Sequence, residues 1–196
     1  MLKLFCQFMF WINGWKQIGS LSGDITKCII VAGPHTSNYD LIFALAGLYK
    51  VRPKVNYLLK KDWIDAFLIG NLFRNTGAIG VNRSKNTTMV DALADYIIKA
   101  KEDIYLMISP EGTRKLTSRW KTGFYHIALK ANIPLVLTSL DYAKKEAAVG
   151  PVIMPTGCFE EDMKLVRDYY KTITPKFPEK FSLQIYEPEE NAACTG

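Results

Sequence analysis

The stretch AGPHTSNYD places His35, one of the chain's two histidines, five positions before Asp40. The apolar run CIIVAG precedes it and predicts a buried strand, so His35 falls in the loop that follows. Such a loop can fold back, so that the carboxylate orients one imidazole nitrogen and the other accepts a proton. A histidine base held by a carboxylate is typical of acyl-transfer chemistry. A turn histidine, followed by an aspartate that favours the helix dipole, is the alternative that the spacing leaves open.

The sequence offers no covalent nucleophile beside this pair. A G-x-S-x-G elbow is absent, and Cys28 falls inside the predicted strand. Ser37 is explained as a helix cap. If His35 is a base, its proton therefore comes from a hydroxyl of the substrate, which disfavours a serine-dependent thioesterase or lipase.

Two further polar clusters follow predicted strands: VNRS after AIG, and SPEGTRK after DIYLMI. Ligand sites of α/β sheets gather at the carboxyl ends of the strands, so we expect both clusters to share an edge with His35. Guanidinium groups and the N–H groups of a glycine turn suit phosphate oxygens. The alternative is a structural ion pair between Glu111 and a nearby arginine. The sequence has neither G-x-G-x-x-G nor a G-K-[ST] loop, so nucleotide binding is not supported. The candidate binding residues in the two clusters are Arg83, Glu111, Gly112, Thr113 and Arg114.

Strand-like and helix-like segments alternate from Lys27 onward, which predicts an α/β fold. We expect one domain, residues 21–187, with a largely parallel or mixed sheet flanked by helices, and a flexible polar tail at 188–196. The predicted strands are KCIIVAG, VNYLLK, AIGVN, DIYLMIS, the pair PLVLTSLDY and EAAVGPVIM, and FSLQIY. The predicted helices are NYDLIFALAGLYK, DWIDAFLIGNLFRNTG, NTTMVDALADYIIKAK, KTGFYHIALKAN and EEDMKLVRDYYKTI.

Residues 1–20 predict an amphipathic helix with polar residues on one side and aromatic residues spread over the other. Its apolar core is far shorter than the ~20 residues that a membrane-spanning helix requires. A helix of this kind can lie in the bilayer interface. A helix that caps the core of its own domain and a cleaved signal peptide are the alternatives.

The net charge of +6 favours an anionic partner, such as a membrane surface or a phosphorylated substrate. Nucleic acid is not expected, because the basic residues are scattered and no zinc-finger or RNA-binding signature is present. The four cysteines are far apart and show no CxxC pair, so we expect reduced thiols and no metal site.

Taken together, these motifs resemble the glycerolipid acyltransferase family typified by 1-acylglycerol-3-phosphate (lysophosphatidate) acyltransferase. HTSNYD is similar to the family's H-x4-D motif, GAIGVNRS to its glycine-to-arginine motif, SPEGTRK to its E-G-T-R motif and ANIPLVL to its proline-strand segment. WKTGFYHIALKA resembles a segment of short family members. The resemblance covers residues 25–170. Pro34 and Asn82 depart from the family pattern and bear on substrate preference more than on reaction type.

The resemblance implies transfer of a fatty-acyl group from acyl-CoA or acyl carrier protein to the free hydroxyl of a lysophospholipid in phospholipid biosynthesis. The acceptor it most favours is 1-acyl-sn-glycerol 3-phosphate, with no cofactor and no metal. His35 would be the general base and Asp40 its orienting residue. The acceptor's phosphate and glycerol would contact Arg83, Glu111, Gly112, Thr113, Arg114 and Lys60.

Three alternatives remain: another lysolipid acceptor, glycerol 3-phosphate, or a non-catalytic lipid-binding domain of the same fold. The last would need no base, and the presence of His35, Asp40 and EGTR argues against it. With no long apolar span in the sequence, we expect a peripheral protein on the cytoplasmic face of an anionic membrane, or a cytoplasmic protein.

Overall fold

Within residues 2–51, 55–60, 65, 77–81 and 86–183, which the computed structural model describes, seven strands form one mixed sheet. The strands are β1 (Lys16–Ile18), β2 (Lys27–Gly33), β3 (Asn56–Lys60), β4 (Ala78–Val81), β5 (Ile104–Ile108), β6 (Leu135–Asp141) and β7 (Glu146–Ile153). Their order across the sheet is β1-β7-β6-β2-β5-β3-β4, and only the β6–β7 pair is antiparallel among the described strands. The predicted α/β class and the predicted β6–β7 pair are confirmed.

Five α-helices of the described residues flank the sheet. They are α1 (Leu2–Ile12), α2 (Asn38–Val51), α3 (Asn86–Lys99), α4 (Gly123–Ala131) and α5 (Phe159–Tyr170), and a short 3₁₀ helix follows at Pro178–Lys180. Helices α1 and α2 pack on one face with the Cys28 and Ile30 side of β2. Helices α3, α4 and α5 pack on the other face with Ile29 and Val31. Strand β2 is therefore buried on both faces, which explains its unbroken apolar run.

Strand register brings the predicted site loops to one level. In the parallel β2–β5 pair, Val31 lies beside Ile108, the last residue of β5. The chain leaves both strands at the same edge, so the HTSNYD and PEGTRK loops emerge side by side. The sheet therefore places the two motifs together, as the motif positions predict.

Helix α3 ends against a lysine from the neighbouring strand. Lys27 Nζ donates hydrogen bonds to the carbonyls of Ile97 and Ala100 at 2.7 Å and lies 3.4 Å from that of Ile98. These carbonyls have no partner inside the helix, and a cation also favours the negative end of the helix dipole.

The N-terminal helix is present but shorter than the predicted residues 1–20, because it ends at Ile12. Cys6 and Phe10 are buried in the core that α1 shares with α2, and Met9 packs partly against it, whereas five further apolar residues of α1 are exposed: Leu4, Phe5, Phe8, Trp11 and Ile12. The following residues form β1, which pairs in parallel with β7 and was not predicted. None of the helices among the described residues is long and apolar enough to span a bilayer.

Other predictions have mixed outcomes. Residues 181–183 of the predicted strand FSLQIY are not a strand, and the rest of it lies outside the described residues. The predicted helix DWIDAFLIGNLFRNTG and the tail 188–196 also lie almost entirely outside them, so the domain bounds stay predictions. Cys6 and Cys28 are buried free thiols, as expected, but Cys158 is disulfide-bonded, which corrects the expectation of reduced thiols throughout.

Candidate active site

The Asp40 carboxylate is held by the loop that precedes it. Its Oδ2 accepts hydrogen bonds from the backbone N–H groups of Thr36 and Ser37, both at 2.7 Å. Ser37 Oγ in turn accepts from the N–H of Tyr39 at 3.2 Å. This reciprocal arrangement is a capping box at the start of α2, with aspartate in the acidic position. Asp40 is thus both a helix cap and, at 3% exposure, a buried carboxylate in a fixed position.

His35 lies over this carboxylate, as the H-x4-D spacing predicts. Its Nδ1 is 3.5 Å from Asp40 Oδ2, and its side chain is 28% exposed. The distance exceeds that of an optimal hydrogen bond, which is common in unliganded sites and shortens when substrate binds. A proton on Nδ1 that faces Asp40 leaves Nε2 as the acceptor, and that is the tautomer a general base requires.

Tyr142, which the sequence interpretation missed, contacts the same carboxylate from the opposite side. Its hydroxyl donates to Asp40 Oδ1 at 2.6 Å. Burial and the neighbouring Asp40 raise the pKa of Tyr142, so the phenol stays protonated. A position 102 residues beyond Asp40, directly after a buried strand, carries no local signal that could have identified it.

Glu111 joins the two motif loops below the site. Its Oε2 accepts from the backbone N–H of His35 at 2.7 Å and from Ser109 Oγ at 3.2 Å. It is 4% exposed, and burial raises its pKa to about 7. Glu111 therefore supports the His35 backbone from beneath. It forms no ion pair with an arginine among the described residues, in contrast to the alternative noted from the sequence.

The remainder of the EGTR turn is at the surface. Gly112 adopts φ +63°, which favours glycine, and a Cβ there would lie 3.2–3.3 Å from the side chain of Lys121. Thr113 Oγ1 accepts from the N–H of Lys115 at 3.2 Å, and Arg114 is exposed. Of these predicted residues, Gly112 lines the cavity described below, whereas Thr113 and Arg114 lie beside it in the same turn.

Lys121 is the second residue that the sequence interpretation missed. Its side chain lies against Gly112 and lines the same cavity as His35. The segment WKTG, just before α4, belongs to the family-like stretch WKTGFYHIALKA, but the sequence alone assigns its lysine no role. The position of this lysine next to the glycine turn could not be read from the sequence because it depends on the conformation of the intervening loop.

Two predicted residues cannot be placed in this geometry. Lys60 is the last residue of β3, paired with Val81 of β4, at the carboxyl edge of the sheet. Arg83 lies outside the described residues. The binding roles of both stay predictions.

A cavity of about 870 Å³ is lined by His35 and Asp40. Apolar residues of α2, β6 and β7 line one part of it: Leu41, Ala44, Leu48, Leu140, Ala147 and Val149. Apolar residues of α3 and α4, which lie on the other face of the sheet from α2, line another part: Met89, Val90, Leu93, Phe124 and Ile127. Largely apolar cavities of this size, with a few convergent polar groups, are typical of sites for lipid-like ligands. Among the described residues, no cluster of histidine, cysteine and acidic side chains could hold a metal ion.

The comparison with protein families agrees with this geometry. The family model named Acyltransferase matches residues 23–140, so the chain belongs to the acyltransferase family. That range contains both the H-x4-D and the E-G-T-R loops.

Among curated proteins, the chain is similar to two 1-acyl-sn-glycerol-3-phosphate acyltransferases. It is 30% identical to the one from Haemophilus influenzae over 116 residues, 57% of this chain and 47% of that protein. It is 27% identical to the one from Limnanthes douglasii over 182 residues, 84% of this chain and 63% of that protein. The chain thus spans about half to two thirds of the length of these relatives.

The fold resembles the crystal structure of the 1-acyl-sn-glycerophosphate (LPA) acyltransferase from Thermotoga maritima. The TM-score is 0.55 at 14% sequence identity, over 89% of this chain and 80% of that one. The similarity to a solved structure thus supports the architecture described above.

Proposed function

We propose that the protein is an O-acyltransferase that moves a fatty-acyl group from an acyl thioester to the free hydroxyl of a lysophospholipid. The observation that carries this proposal is His35, backed by the buried Asp40, in the lining of a large and mainly apolar cavity. Its family membership and its relatives, which bear the name 1-acyl-sn-glycerol-3-phosphate acyltransferase, support 1-acyl-sn-glycerol 3-phosphate as the acceptor.

In the proposed reaction His35 Nε2 removes the proton of the acceptor hydroxyl as its oxygen attacks the thioester carbonyl. The new C–O bond forms, the C–S bond breaks, and the thiolate leaves with the proton that His35 returns. Asp40 stabilises the imidazolium that forms between these events. Holding hydroxyl and thioester in line supplies much of the acceleration.

The apolar and charged residues of the cavity suit different parts of the substrates. The apolar walls suit an acyl chain, whose burial removes hydrocarbon from water. Lys121 lines the cavity beside Gly112, forms no ion pair with the described residues and suits the phosphate of the acceptor. Arg114 in the adjacent turn is a second cation within the same loop. Acyl-CoA or acyl carrier protein is the proposed donor, and phospholipid biosynthesis the proposed pathway.

We also propose that the protein acts as a peripheral protein on the cytoplasmic face of a membrane. The support is the exposed aromatic surface of α1 and the net charge of +6. Aromatic side chains favour the bilayer interface, and basic proteins are attracted to the anionic lipids of the cytoplasmic leaflet.

The test is an acyl-transfer assay of purified protein with both thioester donors. The acceptor panel contains lysophosphatidate, neutral and zwitterionic lysolipids, and glycerol 3-phosphate. We expect ester formation with the lysophosphatidate, and a loss of at least about a hundredfold in kcat for His35→Ala. The control Glu102→Ala, at an exposed residue that does not line the cavity, should keep the wild-type rate. Lipid binding without turnover would instead indicate a non-catalytic domain, and release of free fatty acid alone would indicate a thioesterase.

A further inference from the structure

The two oxygens of the Asp40 carboxylate have different partners. Oδ2 is held by the backbone of the loop and faces His35 Nδ1. Oδ1 receives its hydrogen bond from the hydroxyl of Tyr142 at 2.6 Å, shorter than either backbone bond to Oδ2. The rotation of the carboxyl group about its own axis is therefore set by Tyr142 together with the loop.

The phenol of Tyr142 is itself held in place. Its ring meets Trp15 edge-on, with the ring centroids 4.9 Å apart, and lies 6.2 Å from Phe43. Its backbone N–H donates to the carbonyl of Thr174 at 2.9 Å. Trp15 and Phe43 stack on one another at 4.7 Å, so the ring sits in a packed aromatic cluster. Edge-on aromatic pairs of this kind restrict ring motion and are stabilising.

Tyr142 is not among the described residues that line the cavity. Any effect of its side chain on the reaction must therefore pass through Asp40. The titratable and charged groups around the Tyr142–Asp40 pair are His35, at 3.5 Å from Asp40, and Glu111, which interacts electrostatically with His35 and Asp40. On the other side, Lys176 Nζ lies 5.8 Å from the centroid of the Tyr142 ring. Tyr142 is the side-chain donor to Asp40 among the described residues.

We propose that Tyr142 is a positioning residue for acyl transfer, which keeps the Asp40 carboxylate turned toward His35 and partly neutralises its charge. The inference rests on the proposed function for its kinetic part. The hydrogen bond from the phenol fixes the orientation of the Asp40 carboxylate. It also draws off part of the carboxylate's negative charge, so the attraction between Asp40 and the His35 imidazolium is weaker. By fixing the carboxylate, the phenol also fixes the direction in which the His35 imidazole is held.

The kinetic test compares Tyr142→Phe with the matched control Tyr125→Phe. Tyr125 is also a buried tyrosine whose hydroxyl donates to a buried carboxylate, Asp162 at 2.9 Å, but that carboxylate does not contact His35 and Tyr125 does not line the cavity. We expect Tyr142→Phe to lower kcat about tenfold with little change in KM, and Tyr125→Phe to keep the wild-type kcat. Trp15→Leu keeps the Tyr142 hydroxyl but removes an aromatic ring that packs against Tyr142, and it should give a smaller loss of kcat. Equal kcat values for Tyr142→Phe and the wild type would overturn the proposal.

A second test needs no turnover. The chain has two histidines, so the imidazole NMR signals of His35 can be assigned with a His126→Gln variant. In Tyr142→Phe the Asp40 charge is no longer shared with a phenol, so the midpoint of the His35 titration should move to higher pH. Tyr125→Phe should leave that midpoint where it is in the wild type. If the wild type shows no acyl transfer but Tyr142→Phe still moves the His35 midpoint, only the proposed function is refuted. If Tyr142→Phe leaves the midpoint unmoved, the role of Tyr142 is refuted.

Discussion

The carboxylate of Glu111 accepts a 2.7 Å hydrogen bond from the backbone N–H of His35 and so ties the loop after β5 to the loop after β2. Its other oxygen, Oε1, is buried without a partner among the described residues. Burial raises the pKa of Glu111 from 4.5 to about 7. The folded state therefore holds this proton more tightly than the unfolded chain does. The resulting stabilisation is complete below the unfolded pKa and is lost as the pH rises through 7.

Glu111→Gln should remove this pH dependence. The pKa difference corresponds to about 3 kcal/mol of unfolding free energy between acidic and neutral pH. Glutamine can still accept from the N–H of His35, and it cannot ionise. We expect urea unfolding at pH 5 and pH 8 to show a smaller loss of stability at pH 8 for the variant than for the wild type. Parallel losses in the two proteins would mean that Glu111 is not the titrating group.

Lys121→Ala should weaken the binding of a phosphate-bearing acceptor. The lysine lines the cavity beside Gly112, and loss of a charge-assisted contact raises KM about tenfold. A neutral acceptor should be affected much less. Arg114→Ala should act in the same direction but more weakly, because Arg114 is beside the cavity wall. Lys101→Ala, an exposed lysine outside this turn and outside the cavity lining, is the control, and equal effects on charged and neutral acceptors would argue against phosphate recognition.

Trp11→Ser should reduce the binding of the protein to anionic vesicles. Trp11 is 75% exposed on α1, and burial of such a side chain in the interface contributes about 1.5–3 kcal/mol, or tenfold or more in the partition coefficient. Leu165→Ser, an exposed apolar residue on α5, is the matched control and should leave partitioning unchanged. Vesicle sedimentation measures both, and an equal loss for the two variants would contradict a specific role for α1.

Lys27→Met should destabilise the fold without changing the reaction. The variant keeps the apolar length of the side chain but removes the donor to the carbonyls of Ile97 and Ala100 at the end of α3. We expect a loss of about 1–2 kcal/mol in unfolding free energy. Lys101→Met, an exposed lysine nearby, should have no effect. An unchanged urea midpoint for Lys27→Met would show that water satisfies these carbonyls equally well.

The strand–helix alternation and the position of His35 could be predicted because they depend on local patterns. An apolar run such as CIIVAG gives a buried strand, and Ser37 and Asp40 carry the signature of a helix start. The site at the carboxyl ends of parallel strands then follows from a general property of such sheets.

The roles of Glu111 and Tyr142 could not be predicted, for different physical reasons. Glu111 belongs to a recognised motif, but only the packing of two loops shows that it points inward to the backbone of His35. Tyr142 belongs to no motif, and it reaches Asp40 because the β6 strand ends beside the start of α2. β1 was missed because three residues at a sheet edge carry too little pattern to be recognised.

The pairing of β1 with β7 gives the N-terminal segment a structural role besides its proposed role in membrane binding. Strand β1 covers the outer edge of β7, whose backbone groups would otherwise be open to another chain. A protein shortened by its first twenty residues would therefore present a bare strand and tend to self-associate. Sedimentation of such a shortened protein with vesicles would then reflect self-association as much as membrane affinity. Point substitutions on α1 leave β1 in place and so separate the two effects.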